Sequence, residues 1–180
     1  QRTVRMAYDR CDFRRAHLAI FDFCNETLSA IYCVAVKDRL YCDRFDTARR
    51  RVSQTVLHEI AELLCRLLSP ILPHTADEAW RDLHGDSACV HLETFHELAA
   101  DCDAHWPQVM AIRDEVLKAL EDAKSRGIEK PLDAGVVLPD PEGRLSPFMD
   151  ELADLFGVSR VALDTSADSI EIQDLREEPA

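Results

Sequence analysis

Residues 48–69, ARRRVSQTVLHEIAELLCRLLS, decide the fold of this 180-residue chain because they form its strongest regular pattern. Apolar residues recur every three or four positions along the segment, which predicts one helix with a single core face. That face consists of Val52, Val56, Ile60, Leu63, Leu64, Leu67 and Leu68. The segment therefore predicts the main helix of an all-helical region.

Three further helices are predicted around this one. Residues 15–36 carry a stripe at helical spacing that consists of Leu18, Phe21, Asn25, Leu28, Tyr32 and Ala35. Residues 37–47 are polar and predict a loop that ends in an N-cap. Another helix follows residue 73, and residues 104–126 form the fourth, closed by Gly127.

The ends of the helix after Pro73 have their own signals. Thr75 and Glu78 have the spacing of a capping box, and Gly85 suits a helix C-terminus. Residues 86–103 then predict a loop with an extended stretch over 90–95.

The pattern changes after residue 126. Residues 134–139 predict a strand, 145–156 a short helix, and 158–163 and 170–172 two more strands. The chain is therefore predicted to be mainly α, with a helical bundle over residues 1–126 and a small α/β unit over 127–180.

Charge is distributed unevenly along the chain. The formal net charge of −13 argues against a general nucleic-acid binder. However, residues 1–72 carry 12 Lys and Arg against 9 Asp and Glu, whereas residues 73–180 carry 9 against 25. Any RNA-facing surface is therefore expected in the first part. The alternative is that these cations only solvate the early helices.

Membrane and metal chemistry are not predicted. No apolar run approaches the roughly 20 residues that cross a bilayer, and the seven cysteines suit reduced, mostly buried thiols in a cytoplasmic protein. Gln1 in place of Met suggests an excised fragment. A possible zinc cluster has irregular gaps, so ordinary loop and core roles are favoured over the tetrahedral set that zinc needs. Its members are His84, Cys89, His91, His96, Cys102 and His105.

The most specific motif is Leu28-Ser29-x-x-Tyr32 followed by Lys37-Asp38-Arg39-Leu40-Tyr41. Cations suit phosphate, and planar side chains suit unstacked bases. Three arginines, residues 49–51, then open the next helix, where positive charge is unfavourable. A compensating partner is expected, either phosphate or the nearby Asp43 and Asp46.

These motifs occur in a recognisable order. After them come PILPHTADEAW at residues 70–80 and SACVHL at 87–92. In order and spacing the chain resembles the C-terminal region of bacterial-type isoleucyl-tRNA synthetases, which are class I enzymes. The resemblance covers residues 10–165, and residues 37–41 favour isoleucine over the related valine and leucine enzymes. A departure lies at Glu129–Ala134, where family members usually have Gly-x-Ser-Leu-Glu-Ala.

The resemblance implies an anticodon-binding bundle followed by a junction unit, with isoleucine-specific tRNA as partner and no DNA role. It implies RNA-facing roles for Lys37, Arg39 and Tyr41, and Arg49 and Arg50 follow by proximity and charge. In the family, ATP and Mg²⁺ act in a separate catalytic domain. This chain has neither the His-Ile-Gly-His nor the Lys-Met-Ser-Lys-Ser signature, so no cofactor and no catalytic residue are expected in it.

Several alternatives stay open at this level. Tyr32 suits a core position as well as a stacking platform, and Asp38 with Arg39 suits an ion pair that fixes the loop. Trp80 and Trp106 suit anchors of the bundle. A helical protein-interaction module with no RNA role is the alternative to tRNA binding.

Overall fold

The computed structural model describes residues 1–95 and 103–176. The chain divides into two compact units, Gln1–Ala99 and Ala100–Ala180. Within the described residues, seven α-helices and one three-stranded sheet make the protein mainly α with a small α/β part, as predicted. None of those helices is long and apolar enough to cross a membrane.

The first unit is helical throughout its regular structure. Its elements are α1 (Arg2–Asp9), α2 (Phe13–Asp22), a π-helical segment (Phe23–Cys33), α3 (Lys37–Tyr41), α4 (Ala48–Leu68), α5 (Pro73–His84) and a 3-10 turn (Val90–Leu92).

Helix α4 matches the prediction to within one residue and serves two cores. Its Leu67 packs with residues of α1 and α2, and its Cys65 packs with Trp80 of α5 and with Val90. The predicted core face is wrong at its first position, because Val52 is 62% exposed.

The predicted stripe of the first long helix is wrong. Ala16 and Ile20 are the buried residues of α2, whereas Leu18 and Phe21 are 43% and 53% exposed. From Phe23 the backbone is π-helical, and no residue of that segment is buried. A π-helix bonds residue i to i+5, so a stripe drawn with 3.6 residues per turn loses its phase there.

The predicted C-terminal end of α5 is confirmed, whereas its predicted N-terminal capping box is not. The helix begins at Pro73, which tolerates the first position because it lacks the N–H that would have no partner there. Thr75 and Glu78 therefore lie inside the helix, and the predicted capping box is wrong. Gly85 ends the helix with a φ of 96°, as its lack of a Cβ allows. The stretch predicted as extended contains the 3-10 turn.

The second unit combines two helices with a mixed sheet. Its elements are α6 (Trp106–Lys124), a 3-10 turn (Pro131–Asp133), β1 (Ala134–Pro139), a 3-10 turn (Ser146–Phe148), α7 (Met149–Phe156), β2 (Arg160–Asp164) and β3 (Glu171–Asp174).

The central strand of this sheet is β1, in the order β2–β1–β3. It runs parallel to β2, with Gly135 opposite Arg160, and antiparallel to β3, with Ala134 opposite Asp174. Helix α7 makes the crossover that a parallel pair needs.

Helix α6 shares the core of the second unit. Its Val109, Val116 and Leu120 belong to one buried cluster with Val136 and Leu138 of β1. The contacts therefore divide the chain before α6, whereas the sequence placed the boundary after it, at residue 126. Trp106 lies in this unit, 37% exposed and 6.3 Å from Phe148 between ring centroids, so its predicted role as a bundle anchor is wrong.

Candidate nucleic-acid interface

The motif at residues 37–41 forms helix α3 rather than the predicted loop. The long helical stretch breaks at Val36, which is 3% exposed and starts α3 with a φ of −92° and a ψ of 1°. Helix α3 then packs against α4. The break places these five residues at one end of α4, beside the three arginines that open it.

Lys37 and Tyr41 share the outer face of α3. Residues four apart lie on the same side of a helix, and both side chains are exposed, with Tyr41 81% accessible. A free ammonium and an open phenol ring on one face are groups that suit RNA phosphate and an unstacked base. The structure therefore brings these two predicted residues together.

Arg39 lies on the opposite face and is 9% exposed. Its charge helps to lower the pKa of the Asp43 carboxyl group. Arg39 is thus much less accessible than Lys37 and Tyr41, and its RNA-facing role stays a prediction. Its predicted ion pair with Asp38 stays a prediction.

Asp43 is the residue that holds the two arginines of α4. Its carboxylate accepts hydrogen bonds from Nε and Nη2 of Arg49 at 3.0 and 3.1 Å. Its backbone carbonyl accepts one from Nη1 of Arg50 at 2.8 Å. The compensating partner expected for the arginine run is therefore Asp43, while Asp46 pairs with Arg44 at 3.2 Å.

Arg49 and Arg50 differ in how much of each side chain is exposed to solvent. Arg49 has an exposed side chain despite its paired fork, at 43% of its full accessibility. Arg50 is half-buried, and its Nε is buried without a hydrogen-bond partner. Arg51 is exposed. Arg49 and Arg51 therefore contribute to the surface, and Arg50 ties the preceding loop to α4.

The hydrogen bonds from Arg49 hold the pKa of Asp43 below its ordinary value, and the charges of Arg49, Arg39 and Arg50 add to this effect, while desolvation opposes it. A depressed carboxyl pKa contributes stability above the unfolded pKa of about 3.9, and the contribution is lost as pH falls through the folded pKa. The loop is therefore expected to loosen only in strong acid.

Replacing Arg49 with alanine is expected to raise the pKa of Asp43 toward its ordinary value, because the largest cause of the shift is removed. Carboxyl chemical shifts followed by NMR during an acid titration measure this pKa. The matched control is Arg44→Ala, which removes a neighbouring cation paired with Asp46 instead. An Asp43 pKa that stays the same in the Arg49 variant would contradict the proposed contact.

A second polar cluster lies between α4 and α5, and the sequence did not predict it. Arg66 has a guanidinium carbon 4.5 Å from the Trp80 ring centroid and an Nη1 3.3 Å from Glu62. Nε2 of His84 lies 2.9 Å from the same Glu62. Only the four-residue spacing of Glu62 and Arg66 could have signalled it. These contacts stabilise the α4–α5 pair.

The described residues contain no group of three metal-ligating side chains. Of the weighed zinc cluster, His84 binds Glu62, and His105 lies 3.1 Å from Asp103. His96 and Cys102 lie outside the described residues. The predicted burial of the thiols is wrong for most described cysteines, since only Cys65 is buried.

The chain is thus a mainly helical protein whose first unit presents a lysine, a tyrosine and arginines at one end of its longest helix. It belongs to the family of anticodon-binding domains of tRNA ligases, whose model matches residues 1–137. That range includes the whole surface formed by α3, the following loop and the start of α4.

Curated relatives agree with this assignment. The chain is 36% identical to the isoleucine–tRNA ligase of Brachyspira hyodysenteriae over 94% of its length and 20% of the relative. It is 39% identical to that of Brevibacillus brevis over 88% of its length and 18% of the relative. It is 42% identical to the isoleucine–tRNA ligase of Latilactobacillus sakei over 76% of its length and 15% of the relative. The chain thus spans about a fifth of the length of these relatives.

Proposed function

We propose that this chain is the part of an isoleucine–tRNA ligase that binds the anticodon stem-loop of isoleucine tRNA. The single observation that carries the proposal is the family match, which spans the entire basic surface at the α3–α4 end. The names of the relatives supply the specificity for isoleucine. Joining isoleucine to tRNA with ATP and Mg²⁺, in the cytoplasm, would be the work of the whole ligase.

Lys37 and Tyr41 are the proposed direct contacts. Both lie exposed on one face of α3, so a phosphate and a neighbouring unstacked base could be bound without any rearrangement of the helix. Phosphate contacts position the RNA, and contacts to bases add discrimination.

The proposed site also contains three arginines that differ in exposure: Arg49, Arg50 and Arg39. Arg49 is held by Asp43 yet remains accessible, so its charge can act on phosphate while its geometry is fixed. Arg50 and Arg39 are more buried and would position the loop and α3. Isoleucine tRNA would thus bind a preformed surface, which lowers the entropic cost of association.

Replacing Lys37 with alanine is expected to weaken tRNA binding by about 1–3 kcal/mol, by analogy with the loss of a specific contact. The slope of log affinity against log salt is expected to shrink by about 0.7–0.9, because one fewer counterion is released. Filter-binding or fluorescence titrations at several salt concentrations measure both quantities.

The matched control is Lys118→Ala, which removes an exposed lysine of the second unit. It should leave the affinity and the slope unchanged. Equal affinity for tRNA in the Lys37 variant and the unmodified chain would remove Lys37 from the interface. Equal losses in both variants would mean that the effect is one of net charge alone.

A further inference from the structure

The loop between α3 and α4 displays an aromatic ring that the family motif does not include. Phe45 is 72% exposed. Tyr41, which belongs to the motif and precedes Phe45 by four residues, is 81% exposed. Val34 and Val52, on either side in sequence, are 61% and 62% exposed. Four large apolar side chains are therefore exposed within 19 residues of the sequence, and Phe45 and Tyr41 are the two aromatic rings among them.

Hydrogen bonds hold the loop that carries Phe45 at both of its ends. The backbone N–H and the Oγ1 of Thr47 both donate to the carbonyl of Arg44, at 3.2 and 3.1 Å. This closes a turn with Phe45 in its middle. On the other side, Asp43 is tied to α4 by Arg49 and Arg50. The ring of Phe45 is therefore presented by a fixed loop, and little order is lost when a ligand stacks on it.

The charges around Phe45 indicate which kind of ligand its ring could bind. Residues 37–51 contain six Lys and Arg against three Asp, in a chain whose net charge is −13. The exposed charges among them are four cations, Lys37, Arg44, Arg49 and Arg51, and two carboxylates, Asp38 and Asp46. A cationic surface that interleaves aromatic rings suits a polyanion whose repeating units have flat faces. An apolar protein partner would not need this local excess of positive charge.

We propose that Phe45 is a stacking platform for an unpaired base of single-stranded RNA, with the surrounding cations on its phosphates. This inference rests on the proposed function, since the RNA would be the same one that Lys37 binds. It extends that function to a residue outside the motif and gives it a distinct chemistry, because stacking needs an unpaired base whereas the cations need only phosphate.

The test uses the 180-residue chain and two RNA probes: an unstructured decamer containing 2-aminopurine and a duplex of matched length. Replacing Phe45 with alanine is expected to weaken binding of the decamer about tenfold to a hundredfold. Affinity for the duplex and the salt slope should not change. Phe45→Trp should retain tight binding and quench 2-aminopurine at least as strongly as the unmodified chain.

The control variant is Phe21→Ala, which removes a phenylalanine that is 53% exposed on α2; it should bind both probes like the unmodified chain. Decamer binding that survives Phe45→Ala, or an equal loss for decamer and duplex, overturns the stacking role. If Lys37→Ala weakens tRNA binding while Phe45→Ala does not, this inference fails and the proposed function stands. If the unmodified chain binds neither tRNA nor the decamer, both fail together.

Discussion

Replacing Trp80 with alanine is expected to lower the free energy of unfolding of the first unit by about 3–5 kcal/mol. Trp80 is 3% exposed and packs with Cys65, Ala76 and Val90. Its ring also lies under the guanidinium of Arg66. Removing it leaves a cavity and takes away the aromatic face that holds a mostly buried charge.

Urea denaturation followed by circular dichroism measures this loss. Trp106→Ala is the control, since Trp106 is 37% exposed and lies in the second unit. Amide exchange in α4 and α5 assigns the effect to the first unit. A loss below about 1 kcal/mol for Trp80→Ala, or no change in the exchange of α4 and α5, would contradict the packing described.

The second large effect is expected for Leu152→Ala, with a loss of about 2–5 kcal/mol in the stability of the second unit. Leu152 lies on α7, is fully buried, and belongs to the cluster that includes Val136 and Leu138 of the central strand. The substitution therefore removes one of the two buried side chains, with Phe156, by which the crossover helix packs in this core.

The matched control for this variant is Leu132→Ala, the same chemical change at a position that is 63% exposed. It should cost less than about 1 kcal/mol, because a side chain that remains in water contributes little burial. Amide exchange of β1 and α7 reports the stability of this unit separately. Similar losses in the two variants would show that Leu152 is not at the centre of the core.

Helices and strands could be predicted from the sequence where a single hydrophobic period continues without interruption. Helix α4 was predicted as 48–69 and is observed as Ala48–Leu68, and β1 coincides with the predicted residues 134–139. Both have a single hydrophobic period. Proline and glycine also signalled the break after α4 and the end of α5, although the helix itself begins at Pro73.

Patterns failed where one sequence offers two helical faces or where the backbone departs from the α-helix. The stripe through Leu18 and Phe21 took the wrong face of α2, whose buried residues are Ala16 and Ile20. From Phe23 onward the π-helical segment also changes the number of residues per turn. The grouping of α6 with the sheet is also invisible in one sequence. It depends on which element receives the apolar face of α6, and periodicity does not reveal that.

The candidate site was predicted in residue types but not in roles. Motif spacing selected Lys37, Arg39 and Tyr41 together, yet Arg39 is two residues, about half a helical turn, from each of the other two and lies on the opposite face. The sequence named Asp43 as one possible partner of the arginine run, and only the structure shows that it binds both Arg49 and Arg50. Phe45 was missed because exposure of a single loop aromatic leaves no periodic signal.

The proposed binding of isoleucine tRNA to the basic surface at the α3–α4 end can be measured by titration. The 180-residue chain is titrated with isoleucine tRNA and with a non-cognate tRNA, each at about 50 and 200 mM salt. We expect tighter binding of the isoleucine tRNA and a steep loss of affinity at the higher salt. Absence of binding, or an affinity that is the same at both salt concentrations, would contradict tRNA binding by this surface.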